Sequence, residues 1–331
     1  MINKNANLSS KLFDQDIEQV PTRQGYGEGL VLAGEQDERV VVLCADLTES
    51  TRSILFKEKF PERFIEVGVA EQLMATVAAG MANYGKIPFI SSYAAFSPGR
   101  NWEQIRTTIA LNDVPVKIGG AHAGISVGPD GATHQQLEDM AIMRAMPNMI
   151  VIAPCDSIEA KKATLAASSN GKPTYIRFAR EKTPVFTTEE TPFEIGRAEI
   201  LWNEVKPSVA IIACGPLVYQ ALLAAKELQL HKISVRVINS HTLKPLDKDT
   251  IIKAAEDCGA IVTVEEHQIT GGLGGAVAEL LSENYPVPIK RVGVQDRFGE
   301  SGDPNELMEK FGLSKDAIIK AVTHVLRMKE K

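Results

Sequence analysis

A carboxylate at the head of an apolar stretch is the first feature that could do chemistry. In Glu66-Val-Gly-Val-Ala-Glu71-Gln72, Glu71 follows a turn and opens a run rich in Ala and Met. The helix dipole favours an acid in a first turn, so a helix-start role is one reading. The other is a semi-buried carboxyl facing a heterocyclic ligand. Val69, Ala70, Leu73 and Met74 make its surroundings apolar, and burial favours the protonated form of a carboxyl. Such a group can share a proton with a ring nitrogen. Tyr93 and Phe96 then stand three residues apart after an apolar run. They are either core residues or a platform for a flat ring.

The richest segment is Gly119-Gly-Ala-His122-Ala-Gly-Ile-Ser-Val-Gly-Pro-Asp130-Gly-Ala-Thr-His134-Gln135. Five glycines, two histidines and an aspartate are poor core material, and the segment reads as a long functional loop after a strand. A metal site would need a fourth ligand, and none suitable is near. Hydrogen bonding to a hydroxyl-rich or phosphorylated substrate suits these side chains better. Arg23 and Arg180 stand alone in sequence, either as surface ion-pair residues or as bidentate phosphate clamps. Thr270-Gly-Gly-Leu-Gly-Gly275 lacks the spacing of a dinucleotide or nucleotide loop and reads as a tight turn with close helix packing.

These residues need a scaffold that gathers them. Short, continuously apolar runs such as Val40–Ala45, Ile87–Ser91, Val114–Gly119, Met149–Ala153 and Thr174–Phe178 alternate with helical stretches. Continuous rather than alternating strands imply burial on both faces, as in a parallel sheet. The rhythm breaks at 181–196, which is rich in Thr, Pro and acids, and restarts at Val209–Cys214. The expectation is two consecutive three-layer α/β domains with mostly parallel sheets, residues 1–185 and 197–331, joined by a linker at 186–196. Ligands of such sheets lie at strand C-terminal ends.

Composition sets the outer bounds. The 331 residues carry 36 Lys and Arg against 42 Asp and Glu, a net charge of −6. Scattered basic residues argue against nucleic acid as a partner. No apolar run reaches the length of about 20 residues that spans a bilayer. Four well-separated cysteines read as buried, reduced thiols, so a cytoplasmic location is expected.

Taken together, the chain resembles the C-terminal half of transketolase. The resemblance runs from about Arg23 onward and is carried by Val67-Gly-Val-Ala-Glu71-Gln72, Ser92-Tyr-Ala-Ala-Phe96, Asp130-Gly-Ala-Thr-His134-Gln135, Pro147-Asn-Met and Pro154-Cys-Asp156. It implies a thiamine-diphosphate pyrimidine-binding domain followed by a transketolase C-terminal domain. The family's diphosphate and Mg2+ motif, Gly-Asp-Gly with a later Asn, is missing. The resemblance therefore implies one subunit of a split enzyme, with Mg2+ held by an N-terminal partner and an α2β2 assembly.

The implied activity is transfer of a two-carbon ketol unit between sugar phosphates of the pentose phosphate pathway. The resemblance makes Glu71 the carboxyl that shares a proton with N1′ of the aminopyrimidine. Phe96 would stack on that ring, Tyr93 would line the pocket, and Asp46 would lie near the cofactor. Arg23, Ser50, His122 and Arg180 fall on substrate-phosphate contacts, Asp130 on a hydroxyl contact, and His134 near the reacting carbons. Two other readings share the fold or the motifs: the β subunit of a 2-oxo-acid dehydrogenase E1, and a non-catalytic partner subunit. Thr133-His134-Gln135 stands where the former usually has His-Ser-Gln, and a scaffold has no need of Glu71 or Phe96.

Overall fold

The apolar runs become the central strands of a computed structural model that describes residues 1–329. Val40–Cys44, Phe64–Glu66, Ile87–Tyr93, Lys117–Ala121, Ile150–Ile152 and Thr174–Arg177 pair in parallel in one sheet. A seventh strand, Thr242–Lys244, comes from the second half of the chain and pairs antiparallel with Ile150–Ile152 at the edge. Helices cover both faces, which is why the strands are apolar on both sides. The second sheet has five strands. Val209–Ala213, Val235–Asn239, Ile261–Gln268 and Ile289–Val294 run parallel, and Glu199–Asn203 is an antiparallel edge.

The two halves share one core. Met143, Met146 and Val151 of the first lie in the same apolar cluster as Ile212, Ile238 and Leu243 of the second. A buried charge crosses with them. Arg177 donates from Nε to Asp139 at 2.8 Å and from Nη2 to the Glu266 carbonyl oxygen at 2.7 Å.

Two segments sit differently from the sequence-based division. That division places residues 1–17 with the first unit. In the structure Asn3 bonds the Leu201 carbonyl, and Ala6, Leu12 and Ile17 pack with Leu201 and Trp202 of the second. The 186–196 connection is docked rather than solvent-swept. The buried Asp156 carboxylate accepts the Phe186 and Thr187 amides at 3.0 and 2.7 Å, and Phe186 itself is buried. Satisfying those amides from a buried acid allows the backbone to leave water.

A helix at Thr22–Gln36 was not apparent in a sequence with four glycines over those positions. It exists because its glycines admit close neighbours. A Cβ at Gly25 would lie 1.8 Å from the Ser157 carbonyl oxygen, so tertiary contact overrides low helix propensity.

Candidate active site

Every expected site residue on the first sheet lies at its C-terminal edge or on the helix that approaches it. Asp46 and Ser50 follow Val40–Cys44, Glu71 follows Phe64–Glu66, Tyr93 ends its strand and Phe96 follows, and His122 follows Lys117–Ala121. Arg180 follows Thr174–Arg177, and Arg23 opens the Thr22–Gln36 helix.

Glu71 is the first residue of the Glu71–Asn83 helix and is 1% exposed. Its Oε2 accepts from Arg100 Nη1 at 2.6 Å and its Oε1 from Ser92 Oγ at 3.3 Å. Asn101 Nδ2 holds its carbonyl at 3.0 Å. The flanking residues differ from expectation: Val69 and Leu73 are 70% and 52% exposed, while Met74 is buried. The carboxyl is enclosed from behind, and apolar side chains beside it face outward.

An aromatic cluster stands next to this acid. Tyr93 and Phe96 are near-parallel, with centroids 6.0 Å apart, and His122 stacks on Tyr93 at 3.8 Å. His134 meets Phe96 edge-on at 5.4 Å. The Arg100 guanidinium lies 4.6 Å from the Phe96 ring centre, so Arg100 touches both the acid and the platform. Arg100, Ser92 and Asn101 were not found from sequence. The available signal was an Arg four residues after Phe96, which a lone side chain in a loop does not announce.

The basic residues gather on the other side of His122. Arg23 Nη1 donates to the Ser50 carbonyl at 2.8 Å and lies 3.5 Å from His122 Nε2. Arg180 donates to the Val127 carbonyl at 2.6 Å and lies 4.0 Å from Asp130. His122 is buried, and its Nδ1 has no partner in the protein. Burial first, then the charges of Arg23 and Arg180, push its pKa down to about 3, so it is a neutral ring with one free nitrogen. Asp46 is exposed and its carboxylate makes no hydrogen bond among the described residues. Its amide donates to Glu66 Oε1 at 2.8 Å, and the same carboxylate holds Gly68 N and Thr48 Oγ1. Glu66 thereby fixes the two turns that lead to Ser50 and Glu71.

The Gly271–Gly275 turn carries its own anion. The buried Glu265 carboxylate accepts the Leu273 and Gly274 amides at 2.7 and 2.8 Å, which fills the helix start a phosphate would use. All four cysteines are buried and free. Among the described residues, no cluster of three or more His, Cys, Asp or Glu side chains has metal-binding geometry, and no helix is long and apolar enough to cross a membrane.

A buried acid beside stacked aromatics, at the C-terminal edge of a parallel sheet, is an arrangement suited to a flat nitrogen heterocycle in an α/β protein of the open-sheet class. Known proteins give the family. The model for the transketolase pyrimidine-binding domain matches residues 18–185, and that for the transketolase C-terminal domain matches 196–318. The chain belongs to the transketolase family, whose pyrimidine-binding domain is that of thiamine-diphosphate enzymes. It is 44% identical over 92% of its length, and 96% of the relative, to a putative transketolase C-terminal section of Methanocaldococcus jannaschii. It is 40% identical to a 6-deoxy-6-sulfo-D-fructose transketolase subunit of Clostridium sp., covering 96% of this chain and 98% of that one. A solved split-gene transketolase, described as an inactive β4 tetramer, superposes with a TM-score of 0.87 at 43% identity, over 94% of this chain and 99% of the other. Against a transketolase of Mus musculus, 36% identical, the chain spans 49% of the relative.

Proposed function

We propose that this chain is the pyrimidine-binding subunit of a split transketolase that moves a two-carbon ketol unit from a ketose phosphate to an aldose phosphate. One observation supports this most. The buried Glu71, the Tyr93–Phe96 platform and the Arg23–His122–Arg180 cluster share a single sheet edge. An acid suited to a ring nitrogen and cations suited to a substrate anion thus lie along one edge.

The donor set suits an aminopyrimidine: one carboxyl with a fixed orientation and a neighbouring aromatic face. Thiamine diphosphate, when bound, supplies the carbon nucleophile that carries the two-carbon unit. Glu71 would hold a proton at N1′, with Ser92 and Arg100 orienting its two oxygens. Phe96 would stack on the ring and Tyr93 would line the pocket, with Asp46 at its margin. Arg23, Ser50, His122 and Arg180 would bind the charged end of the sugar, Asp130 a hydroxyl, and His134 the substrate near its carbonyl. The first unit, without the N-terminal 17 residues that pack on the second, carries these groups, and 197–331 buttresses them.

Diphosphate and Mg2+ would be held by an N-terminal partner subunit in an α2β2 assembly. Exposed Val69 and Leu73 flank Glu71, as expected of a half-site that a partner covers. A lone subunit with such a face would self-associate, in keeping with the inactive β4 form described for the split-gene relative. The test is an assay of the isolated chain, then of its mixture with an N-terminal subunit, using xylulose 5-phosphate, ribose 5-phosphate, thiamine diphosphate and Mg2+. Activity is expected only from the mixture. Full turnover by the isolated chain overturns the split-enzyme reading.

A further inference from the structure

We propose that Arg52 is a third anion-binding guanidinium of the substrate cleft and, with Arg23 and Arg180, sets its preference for sugars ending in a phosphate. The proposal rests on the transketolase reading above and assigns a specificity role that the sequence motifs do not contain.

The placement is geometric. Arg23 reaches across to the Ser50 carbonyl at 2.8 Å, and Arg52 lies two residues further along the same loop. Gly27 is one helical turn beyond Arg23, on the same face of the Thr22–Gln36 helix. A Cβ at Gly27 would lie 2.6 Å from the Arg52 carbonyl oxygen and 2.9 Å from the Arg52 Cβ. Arg52 therefore occupies the space a side chain at 27 would fill, and starts beside Arg23. Its backbone is held at φ 64°, in the left-handed region, which non-glycine residues adopt only where the surroundings enforce it.

The electrostatics are unbalanced. Among the described residues, Arg52 has no hydrogen-bond acceptor or ion-pair partner for its guanidinium, and its Nε is buried without a partner, as is that of Arg23. Burial, then Arg52, then Arg180, lower the pKa of Arg23, and Tyr93 and then Glu181 partly oppose them. Asp130 and Glu181 stand 4.0 and 3.8 Å from Arg180. Arg23 and Arg180 flank a neutral histidine with a free nitrogen, Arg52 stands beside Arg23, and among the described residues only Arg180 of the three has acids within ion-pair distance. Guanidinium groups match the paired oxygens of a tetrahedral oxyanion. A phosphate ester is the ligand the cluster fits. A sulfonate has the same shape with one charge fewer.

The experiment uses Arg52→Gln and Arg52→Lys in the reconstituted enzyme. With glycolaldehyde as acceptor, kcat/KM is measured for fructose 6-phosphate, for a 6-sulfonated ketose and for uncharged erythrulose. Arg52→Gln should lower the phosphate-to-erythrulose ratio by roughly 10-fold or more, the size of a charge-assisted contact, and Arg52→Lys should restore part of it. The sulfonate-to-erythrulose ratio should fall less than the phosphate ratio; an equal or larger fall overturns the preference for phosphate. Thermal stabilisation of the isolated chain by inorganic phosphate should weaken in the same order. An unchanged phosphate ratio together with undiminished phosphate stabilisation overturns the assignment. A wild type that turns over none of the three ketoses, yet is stabilised by phosphate through Arg52, refutes the transketolase reading while supporting the anion site.

Discussion

The Glu71 carboxylate and the Arg100 guanidinium are joined at 2.6 Å, with the guanidinium also lying over Phe96. One side chain therefore fixes both the acid and the platform on which the proposed chemistry depends. Glutamine at position 71 keeps the shape and an oxygen for Arg100, but loses the charge of the ion pair and the capacity to exchange a proton with a ring nitrogen. Glu71→Gln should lower turnover of the reconstituted enzyme by about 10²–10⁴, the range of general acid–base terms, with an unchanged melting temperature. A rate within tenfold of wild type would show that the carboxyl has no proton to share.

Arg180 makes one short internal contact, to the Val127 carbonyl, so its removal costs little structure. Arg180→Ala should raise KM for phosphorylated ketoses by roughly 10- to 150-fold, the worth of a charge-assisted hydrogen bond. An unphosphorylated donor should be affected far less. Equal losses for both donors would mark Arg180 as structural.

His122 is neutral throughout the working range because burial and two arginines hold its pKa at about 3. Its ring resonances should not titrate between pH 8 and 5. The unfolded chain takes up this proton near pH 6.5 and the folded chain does not, so stability falls as pH drops below that value. The slope from this one group is at most about 1.4 kcal/mol per pH unit. A ring that titrates near 6.5 in the folded protein would contradict the buried, cation-flanked placement.

Glu159 has the opposite sign. Burial and then Asp156 raise its pKa to about 7. It accepts from the Cys155 amide at 2.6 Å and from Asn239 of the second sheet at 2.7 Å. Between about pH 4.5 and 7 the unfolded chain ionises this acid and the folded chain does not, so stability declines as pH rises through that window. Glu159→Gln should flatten the decline, gaining on wild type in melting temperature at pH 8 relative to pH 5. The amide oxygen of Asn239 has no partner, and it can accept from a protonated Glu159, or from Gln, after an amide flip. Parallel pH profiles of the two proteins would refute the raised pKa.

The strands were legible because burial on both faces leaves an uninterrupted apolar signature, as in Val40–Cys44 and Val209–Ala213. Glu71, Phe96, His122 and Arg180 were legible through motif resemblance and through their place after strands. What stayed hidden depends on contacts distant in sequence. Arg52 and Arg100 are single arginines until the fold sets them beside Arg23 and Glu71. The Thr22–Gln36 helix is a poor helix former locally and is made by what its glycines admit. The exposure of Val69 and Leu73 reverses the apolar-pocket expectation, since hydrophobic character alone does not say which side of a helix start faces outward.

The Thr242–Lys244 strand limits where the chain can be cut. It supplies the edge of a sheet whose other six strands come from the first half of the chain. A fission point at the 186–196 connection would strip that strand away and leave Ile150–Ile152 as a bare, pairing-competent edge. It would also sever the shared core and the Arg177 crossing. The two units are therefore expected to fold as one body, and neither half cut out at that connection should keep a closed sheet edge or a complete core.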